Sequence, residues 1–199
     1  MEEVKVDRSK RRLLLAASGV AGGIAAIGVG TPFFLSMLPS ARARAAGAPV
    51  EVDISRIEPG MILRAEWRGQ PVWVLHRTPE MLEDIKKMDG QVADPASDNS
   101  VQPKYAKNEY RSIKPDYLVL IGICTHLGCS PTAKLQPGAE SGLGTDWMGG
   151  FFCPCHGSKF DLAGRVLKDV PAPKNLVVPP YQFLTDARLM IGDDKGAKA

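Results

Sequence analysis

The chain has 199 residues, 44% of them hydrophobic and 24% charged, an ordinary globular composition that excludes a mostly disordered protein. Its length suits one domain plus an extension. Residues 1–44 hold seven Lys/Arg and three Asp/Glu (+4), and the remainder holds eighteen and nineteen (−1). The sequence therefore indicates no basic face, so we expect no nucleic-acid binding and a solvated surface position for the scattered Lys and Arg.

The N-terminus joins a basic cluster to an uncharged segment, Leu13–Leu38, whose 26 residues would form a helix about 39 Å long. About 20 apolar residues span a hydrocarbon core. We therefore predict a basic N-terminus over residues 1–12 and a single transmembrane anchor over 13–38, in which Pro32 is a candidate kink. The positive-inside rule places residues 1–12 in the cytoplasm and the rest of the chain in the periplasm, at the inner membrane. The cations are Lys5, Arg8, Lys10, Arg11 and Arg12.

A second interpretation of this region is a cleaved export signal. "SKRRLLL" resembles a twin-arginine signal, and "ARARA" at Ala41–Ala45 offers signal-peptidase sites. Cleavage would release a soluble periplasmic protein. The length of the segment and its apolar second half, with Phe33 and Phe34, favour a retained anchor.

A linker follows at Pro39–Pro49, where "PSARARAAGAP" is small and polar without an apolar period. Its alanines favour a partly helical segment. It is either a plain tether or a flexible hinge between the anchor and the domain at residues 50–199.

From Val50 onward the pattern is mostly strands. "VEVDIS" alternates, and "MILRAEW" and "QPVWVLHR" flank the turn "RGQ" as a hairpin. Thr78 is a candidate N-cap with Pro79 at the first helical position. The polar stretch from Asp89 to Pro115 is predicted to be a long surface excursion. "YLVLIGIC" is a buried strand, and "VVPPYQFLTDARLMIG" is a closing hairpin with "TDA" at its turn.

These elements predict a mainly β, antiparallel domain in which two loops at one end carry the chemistry. We expect the three tryptophans to pack in the core. His76 lies in a strand without a neighbouring cysteine or carboxylate cluster, so we expect a structural or surface role for it.

The two loops are "CTHLGC" at 124–129 and "CPCHG" at 153–157, and they contain all four cysteines and two of the three histidines. A disulfide scaffold alone would not need the histidines. The spacings are C-x₄-C and C-x-C, so a C-x-x-C redox motif is absent. A four-ligand site with two sulfurs and two nitrogens suits zinc or an iron–sulfur centre. Either scheme leaves two cysteines over.

"CTHLGC" and "CPCHGSKFD" resemble the two cluster-binding boxes of Rieske iron–sulfur proteins. The resemblance covers nearly the full chain and is strongest to the Rieske subunits of cytochrome bc1 complexes (ubiquinol–cytochrome c reductase). "VPAPKNL" at 170–176 resembles that family's proline-rich loop, which covers the cluster, although Val170 stands where the family usually has glycine. The resemblance implies a Rieske-type antiparallel β-sandwich with a cluster-binding subdomain at about 122–174 and one [2Fe–2S] cluster.

The resemblance also implies roles for individual residues. Two cysteines would hold one iron and two histidines the other, and the symmetry of the two loops agrees with taking one cysteine and one histidine from each. The spare cysteines would pair in an oxidising compartment. These assignments are iron ligands Cys124, His126, Cys153 and His156, and disulfide Cys129–Cys155. Ser158 matches a serine that donates to a bridging sulfide, and Leu127 matches an apolar residue that shields the cluster, its alternative being loop packing.

The implied function is electron transfer. Imidazole ligands raise the potential to about −150 to +300 mV, against about −400 mV with four cysteines, which suits quinol as the donor. The exposed ring edges of His126 and His156 would meet a partner, and one of them would take the quinol proton. The implied partners are cytochrome b, cytochrome c1, quinol and the lipid bilayer, in a dimeric complex.

Two departures from the family bear on this expectation. The family often has a tyrosine where this chain has Phe160, and that hydroxyl donates to a cysteine ligand, so we expect a lower potential here. The interval between His126 and Cys153 holds 26 residues, more than in shorter members, which changes the surface beside the site.

Three other interpretations remain open. The chain could be the small Rieske subunit of a periplasmic oxidoreductase such as an arsenite oxidase, since this also fits an export signal. It could be a zinc-stabilised binding module, which would lack colour and a paramagnetic signal. A Rieske ferredoxin of an aromatic-ring oxygenase fits least, because that group needs neither export nor spare cysteines.

Overall fold

The computed structural model describes residues 7–197, and the chain divides between Ala45 and Ala46 into two compact units. The first contains helix α1, Arg8–Ser36. Asp7 caps it, because its carboxylate accepts from the backbone N–H groups of Ser9 at 3.0 Å and Lys10 at 3.2 Å. The helix thus begins within the basic cluster, before the uncharged segment does.

Helix α1 is long and apolar enough to cross a membrane, and it continues through Pro32. Its large apolar side chains are exposed, as in Leu13 and Phe34, which is what lipid contact requires. The linker contains a short helix, α2, at Ala41–Ala46, where the Ser40 hydroxyl accepts from the Ala43 N–H at 3.1 Å. The alanines of the linker are therefore partly helical, as their composition predicts.

The second unit is built from three antiparallel three-stranded sheets. The first is ordered β1–β9–β8, the second β2–β3–β4 and the third β5–β6–β7. The strands are β1 Val50–Asp53, β2 Ile62–Trp67, β3 Gln70–His76, β4 Tyr117–Ile121, β5 Thr132–Lys134, β6 Gly150–Phe152, β7 Lys159–Phe160, β8 Tyr181–Thr185 and β9 Arg188–Ile191. The remaining elements are α3 Pro79–Lys87 and two 3₁₀ turns, Lys104–Ala106 and Ala139–Ser141.

The predicted hairpins and helix start are present. β2 and β3 close through Arg68 and Gly69 with φ of 54° and 70°, the two positive values of the tight turn that matches strand twist. β8 and β9 pair around Asp186 and Ala187. The Thr78 hydroxyl accepts from the Met81 N–H at 3.3 Å at the start of α3. The mainly β, antiparallel fold is therefore confirmed.

One hydrophobic core receives side chains from all three sheets. Trp73 of β3 stacks on Phe151 of β6 with ring centroids 5.1 Å apart, and this contact joins the second sheet to the third. A Cβ at Gly122, just after β4, would collide with the Trp73 indole, so the chain passes this indole only as glycine before it enters the first box. All three tryptophans are buried, and the His76 ring Nδ1 lies 2.7 Å from the Ile57 carbonyl oxygen, a structural contact.

The expectation that the basic residues are solvated is wrong for three arginines, which are buried. The guanidinium of Arg77 donates to the carbonyls of Tyr110 and Pro115 at 2.9 and 2.7 Å, and burial lowers its pKa to about 10. Arg111 donates to the carbonyls of residues 163 and 164 at 3.3 Å. Arg165 pairs with the buried Asp161 at 2.7 Å. A guanidinium has five N–H donors, so backbone carbonyls can satisfy it where carboxylates are few.

The predicted surface excursion from Asp89 to Pro115 is also only partly at the surface. Asp94, Ser97, Arg111 and Ser112 are buried in it. Because each of them has hydrogen-bond partners within the protein, burial of these polar groups is tolerated. The excursion is therefore a packed part of the domain at residues 50–199, here called the head. It contacts the segments that follow the second box.

Candidate metal centre

The first box, Cys124–Cys129, lies after β4 and is closed by its own backbone. The Cys124 N–H donates to the Cys129 carbonyl at 2.8 Å, and the Gly128 N–H donates to the Cys124 carbonyl at 3.1 Å. Gly128 has φ of 85°, a value that favours glycine. This turn directs the Cys124 side chain into the core, where it is 3% exposed.

The second box, Cys153–Ser158, follows β6 and repeats this geometry. The Cys153 N–H donates to the Ser158 carbonyl at 2.8 Å, and the Gly157 N–H donates to the Cys153 carbonyl at 2.9 Å. Gly157 has φ of 78°. Cys153 therefore occupies the position that Cys124 has in the first box, and it is also buried.

A disulfide joins the two boxes. Cys129 and Cys155 are bonded with 2.11 Å between their sulfurs and 6.7 Å between their Cα atoms, whereas Cys124 and Cys153 are free and buried. The sulfurs of Cys129, Cys153 and Cys155 lie within 4.8 Å of one another. These three do not form a metal site, because two of the sulfurs are already bonded together. Cys153 alone of the three is left with a free sulfur.

The two free thiols face each other. Burial raises the pKa of the Cys124 thiol, and the neighbouring Cys153 thiol raises it further. The His126 backbone N–H and the Ser158 hydroxyl act in the opposite direction and lower this pKa. Cys124 and Cys153 are thus two free, buried thiols that influence each other. Such a pair of thiols forms half of a soft-metal site.

The two predicted histidines provide the other half. The rings of His126 and His156 lie with centroids 4.7 Å apart and planes at 89°. His126 Nδ1 is buried and has no hydrogen-bond partner among residues 7–197. A buried ring nitrogen without a partner is costly in an apo protein but is the expected state of a metal ligand. The donor set of two thiols and two imidazoles therefore fits an iron–sulfur or zinc centre.

The segment Val170–Leu176, here called the covering segment, binds to both boxes. The Ala172 N–H donates to the Ser158 hydroxyl at 3.0 Å, and the Thr125 hydroxyl donates to the Lys174 carbonyl at 2.6 Å. Ala172 and Leu176 are buried. The proline-rich stretch therefore lies against the predicted site, and Thr125 is a contact that sequence reasoning missed.

Two neighbouring apolar residues have contrasting positions. Leu127 is 71% exposed at the tip of the first box, so the alternative that it packs within the loop is wrong. Phe160 is fully buried in β7, where it is paired with Phe151 of β6. A hydroxyl on the Phe160 ring would thus be shielded from water.

Comparison with known proteins identifies the class of centre. A model of the Rieske [2Fe-2S] domain matches residues 98–182, a range that includes both boxes and the covering segment. The donor set on its own leaves zinc and iron–sulfur open, and this match decides for a [2Fe–2S] cluster.

Curated relatives match over almost the whole chain. A "Ubiquinol-cytochrome c reductase iron-sulfur subunit" from Allochromatium vinosum is 58% identical over 192 residues, which is 96% of this chain and 92% of the relative. A protein of the same name from Bradyrhizobium diazoefficiens is 40% identical over 92% of this chain and 94% of the relative. "Cytochrome b-c1 complex subunit Rieske, mitochondrial" from Neurospora crassa is 39% identical over 87% of this chain and 68% of the relative.

Proposed function

The chain belongs to the Rieske iron–sulfur subunits of ubiquinol–cytochrome c reductase, and on that premise we propose that it takes electrons from quinol and passes them to cytochrome c1. When bound, the [2Fe–2S] cluster supplies a one-electron redox centre whose imidazole ligands place its potential in the range of quinols. The observation that carries the proposal is the meeting of two free buried thiols and two imidazoles in paired loops.

The proposed ligand set divides by residue type. Cys124 and Cys153 would hold one iron, which is supported by their burial as free thiols. His126 and His156 hold the other. The unpartnered, buried Nδ1 of His126 supports ligation through that atom, because an iron bond would satisfy it. The Cys129–Cys155 disulfide keeps the two loops together.

The second ring nitrogen of each histidine remains available for proton transfer. His156 is exposed and His126 is half-buried, so these imidazoles can contact a partner at the tip of the head. We assign one of them to hydrogen-bond quinol and to take its proton when the electron leaves. Leu127, exposed beside His126, is assigned to shield the centre from water once the head is docked.

The proposed membrane arrangement uses helix α1 as a retained single anchor. The basic residues in its first turns support a cytoplasmic N-terminus and a periplasmic head at the inner membrane. Export through a twin-arginine pathway would move a head already folded around its cluster. Residues 1–12, 13–38 and 39–49 would then be the cytoplasmic end, the anchor and the hinge, followed by the head at 50–199.

The proposed hinge has a geometric reason. One carrier cannot touch a quinol site in the membrane and a cytochrome haem further out at the same time, whereas a tethered head can meet each in turn. The linker is small and polar, and its helix α2 has only six residues, too few for a stable isolated helix. Cytochrome b and cytochrome c1, in a dimeric complex, are the proposed partners.

Purification of the full-length protein from detergent-solubilised membranes tests this function. We expect an iron–sulfur paramagnetic signal after reduction, co-purified b- and c-type cytochromes, and quinol–cytochrome c turnover. His156→Ala should abolish turnover and the signal, whereas His76→Ala, the third histidine of the chain, should keep both. A zinc-containing, cytochrome-free product would overturn the proposal.

A further inference from the structure

The covering segment is held in place by a third attachment that lies away from the two boxes. Asn175 is fully buried. Its side-chain oxygen accepts from the Val166 N–H at 2.8 Å, and its amide nitrogen donates to the Asp94 carbonyl at 3.0 Å and to the Ser97 hydroxyl at 3.1 Å. Since Val166 offers only a donor and Asp94 an acceptor here, the amide can take one orientation only.

The partners of Asn175 belong to a compact loop, Asp94–Ser100, here called the Asp94 loop. The Asp94 carboxylate accepts from the N–H groups of Asp98 and Asn99 at 2.8 and 3.1 Å and from the Ser100 hydroxyl at 2.6 Å. The Ser100 oxygen in turn accepts from the Asn175 backbone N–H at 3.2 Å. Hydrogen bonds to a carboxylate are among the stronger ones, so the loop is a firm support for Asn175.

The other side of the covering segment reaches the metal centre through Ser158. The Ser158 oxygen accepts from the Ala172 N–H, which leaves its own hydrogen to be donated elsewhere. Ser158 is fully buried in the second box, and its carbonyl accepts from the Cys153 N–H at 2.8 Å, so this residue lies against a proposed iron ligand. The direction of the Ser158 O–H bond therefore depends on where the covering segment places Ala172.

Hydrogen bonds to cluster sulfur favour the more negative, reduced state and so raise the reduction potential. We propose that Asn175, held by the Asp94 loop, is a positioning residue that fixes the covering segment so that the Ser158 hydroxyl points at the sulfur of the centre. Residues 94–100, outside both boxes, thus set part of the midpoint potential. This inference rests on the proposed function, because it needs the cluster between the two boxes.

Two serines in this chain make a matched pair for the test. Ser100 donates once, to Asp94, and accepts once, from Asn175. Ser141 is buried, donates to the Gly138 carbonyl at 2.7 Å and accepts from the Leu143 N–H at 3.0 Å. Ser141→Ala therefore removes the same kind of hydroxyl, but one whose two hydrogen bonds stay within residues 138–143.

The experiment is a redox titration of full-length, cluster-loaded protein, followed by the paramagnetic signal. Ser100→Ala should lower the equilibrium constant for reduction about threefold, which is about 28 mV at 59 mV per tenfold change. Ser141→Ala should leave the potential unchanged. If Ser100→Ala does not retain its cluster, Ser97→Ala, which removes one acceptor of the Asn175 amide, serves in its place.

A double-mutant cycle shows whether the effect runs through Ser158. Ser158→Ala should lower the equilibrium constant for reduction about tenfold, which is a potential lower by about 59 mV. Adding Ser100→Ala to this variant should not lower the potential further. If the potential shifts of the two variants add, or if Ser100→Ala leaves the potential unmoved, the positioning role is overturned. The proposed function stands in either case as long as the native protein shows the paramagnetic signal of the cluster. A native protein without that signal would overturn the proposed function, and this inference with it.

Discussion

Phe160→Tyr should raise the midpoint potential of the centre. Phe160 lies in β7, two residues after Ser158, and its ring is fully buried. The family tyrosine at this position donates to a cysteine ligand, and Cys124 and Cys153 are the free, buried thiols here. A hydroxyl at the end of the Phe160 ring should therefore add one more hydrogen bond to the ligand sulfur.

The expected size follows from the burial of the ring. A hydrogen bond to a charged acceptor contributes about 1.5–3 kcal/mol, and only the part that differs between oxidised and reduced states moves the potential. A difference of about 1.4 kcal/mol is a tenfold change, or about 59 mV for one electron. If the hydroxyl instead found no acceptor, it would stay buried and unsatisfied and would destabilise the fold by about 1–3 kcal/mol.

The assay therefore pairs a redox titration with thermal unfolding. Phe151→Tyr is the control, because Phe151 is the buried cross-strand partner of Phe160 and receives the same added atom. We expect a higher potential and unchanged stability for Phe160→Tyr, and no change in potential for Phe151→Tyr. An unmoved potential together with lower stability in Phe160→Tyr would refute the reasoning.

Three further predictions concern the linker, the disulfide and alkaline stability. Replacing residues 42–47 with prolines should stiffen the linker and abolish quinol–cytochrome c turnover while the reduced signal remains; undiminished turnover would rule out a required swing. Cys129→Ser removes the disulfide and should lower the free energy of unfolding of the head by about 3.5 kcal/mol, the value of the loop-entropy model for a separation of 26 residues. Denaturant unfolding measures this change, and an unchanged denaturant concentration at half-unfolding would count against it. Burial raises the pKa of Tyr105 to about 12, above its unfolded value of about 10, so its contribution to stability is complete below about pH 10 and is lost as pH rises to about 12. Unfolding midpoints measured across that interval should fall less steeply in Tyr105→Phe than in the native chain, and equal slopes would contradict this assignment.

The strands and both boxes could be predicted because local signals specify them. The alternation of "VEVDIS", the "RGQ" turn and Thr78 before Pro79 correspond to β1, the β2–β3 hairpin and the start of α3. The two glycines of the boxes adopt the positive φ that their turns need. Each of these features depends on a few neighbouring residues, which is why sequence patterns reveal them.

The support behind the site could not be predicted, because it depends on partners far apart in the chain. Asn175 binds Asp94 and Ser97 across about 80 residues, and Arg77 reaches the carbonyl of Leu162 at 3.4 Å. A polar residue that is buried and fully hydrogen-bonded has the same sequence signature as one in water. The polar composition of the excursion therefore predicted a surface where the protein has a buried network.

The helix boundary and Leu127 illustrate the same limit at shorter range. The uncharged segment begins at Leu13, but α1 begins at Arg8 because Asp7 provides a cap and basic residues are good helix formers. Leu127 is apolar, yet the box turn exposes it. Hydrophobicity predicts burial on average, and the tip of the first box is a place where that average fails.

The central claim is that two cysteines and two histidines hold the cluster. Pulsed electron paramagnetic resonance on the reduced protein, grown with ¹⁵N-labelled histidine, tests this claim most directly. We predict two strongly coupled histidine nitrogens, and loss of that pattern in both His126→Ala and His156→Ala but not in His76→Ala. A reduced signal without histidine coupling, or with one coupled nitrogen, would contradict the assignment of His126 and His156 as iron ligands.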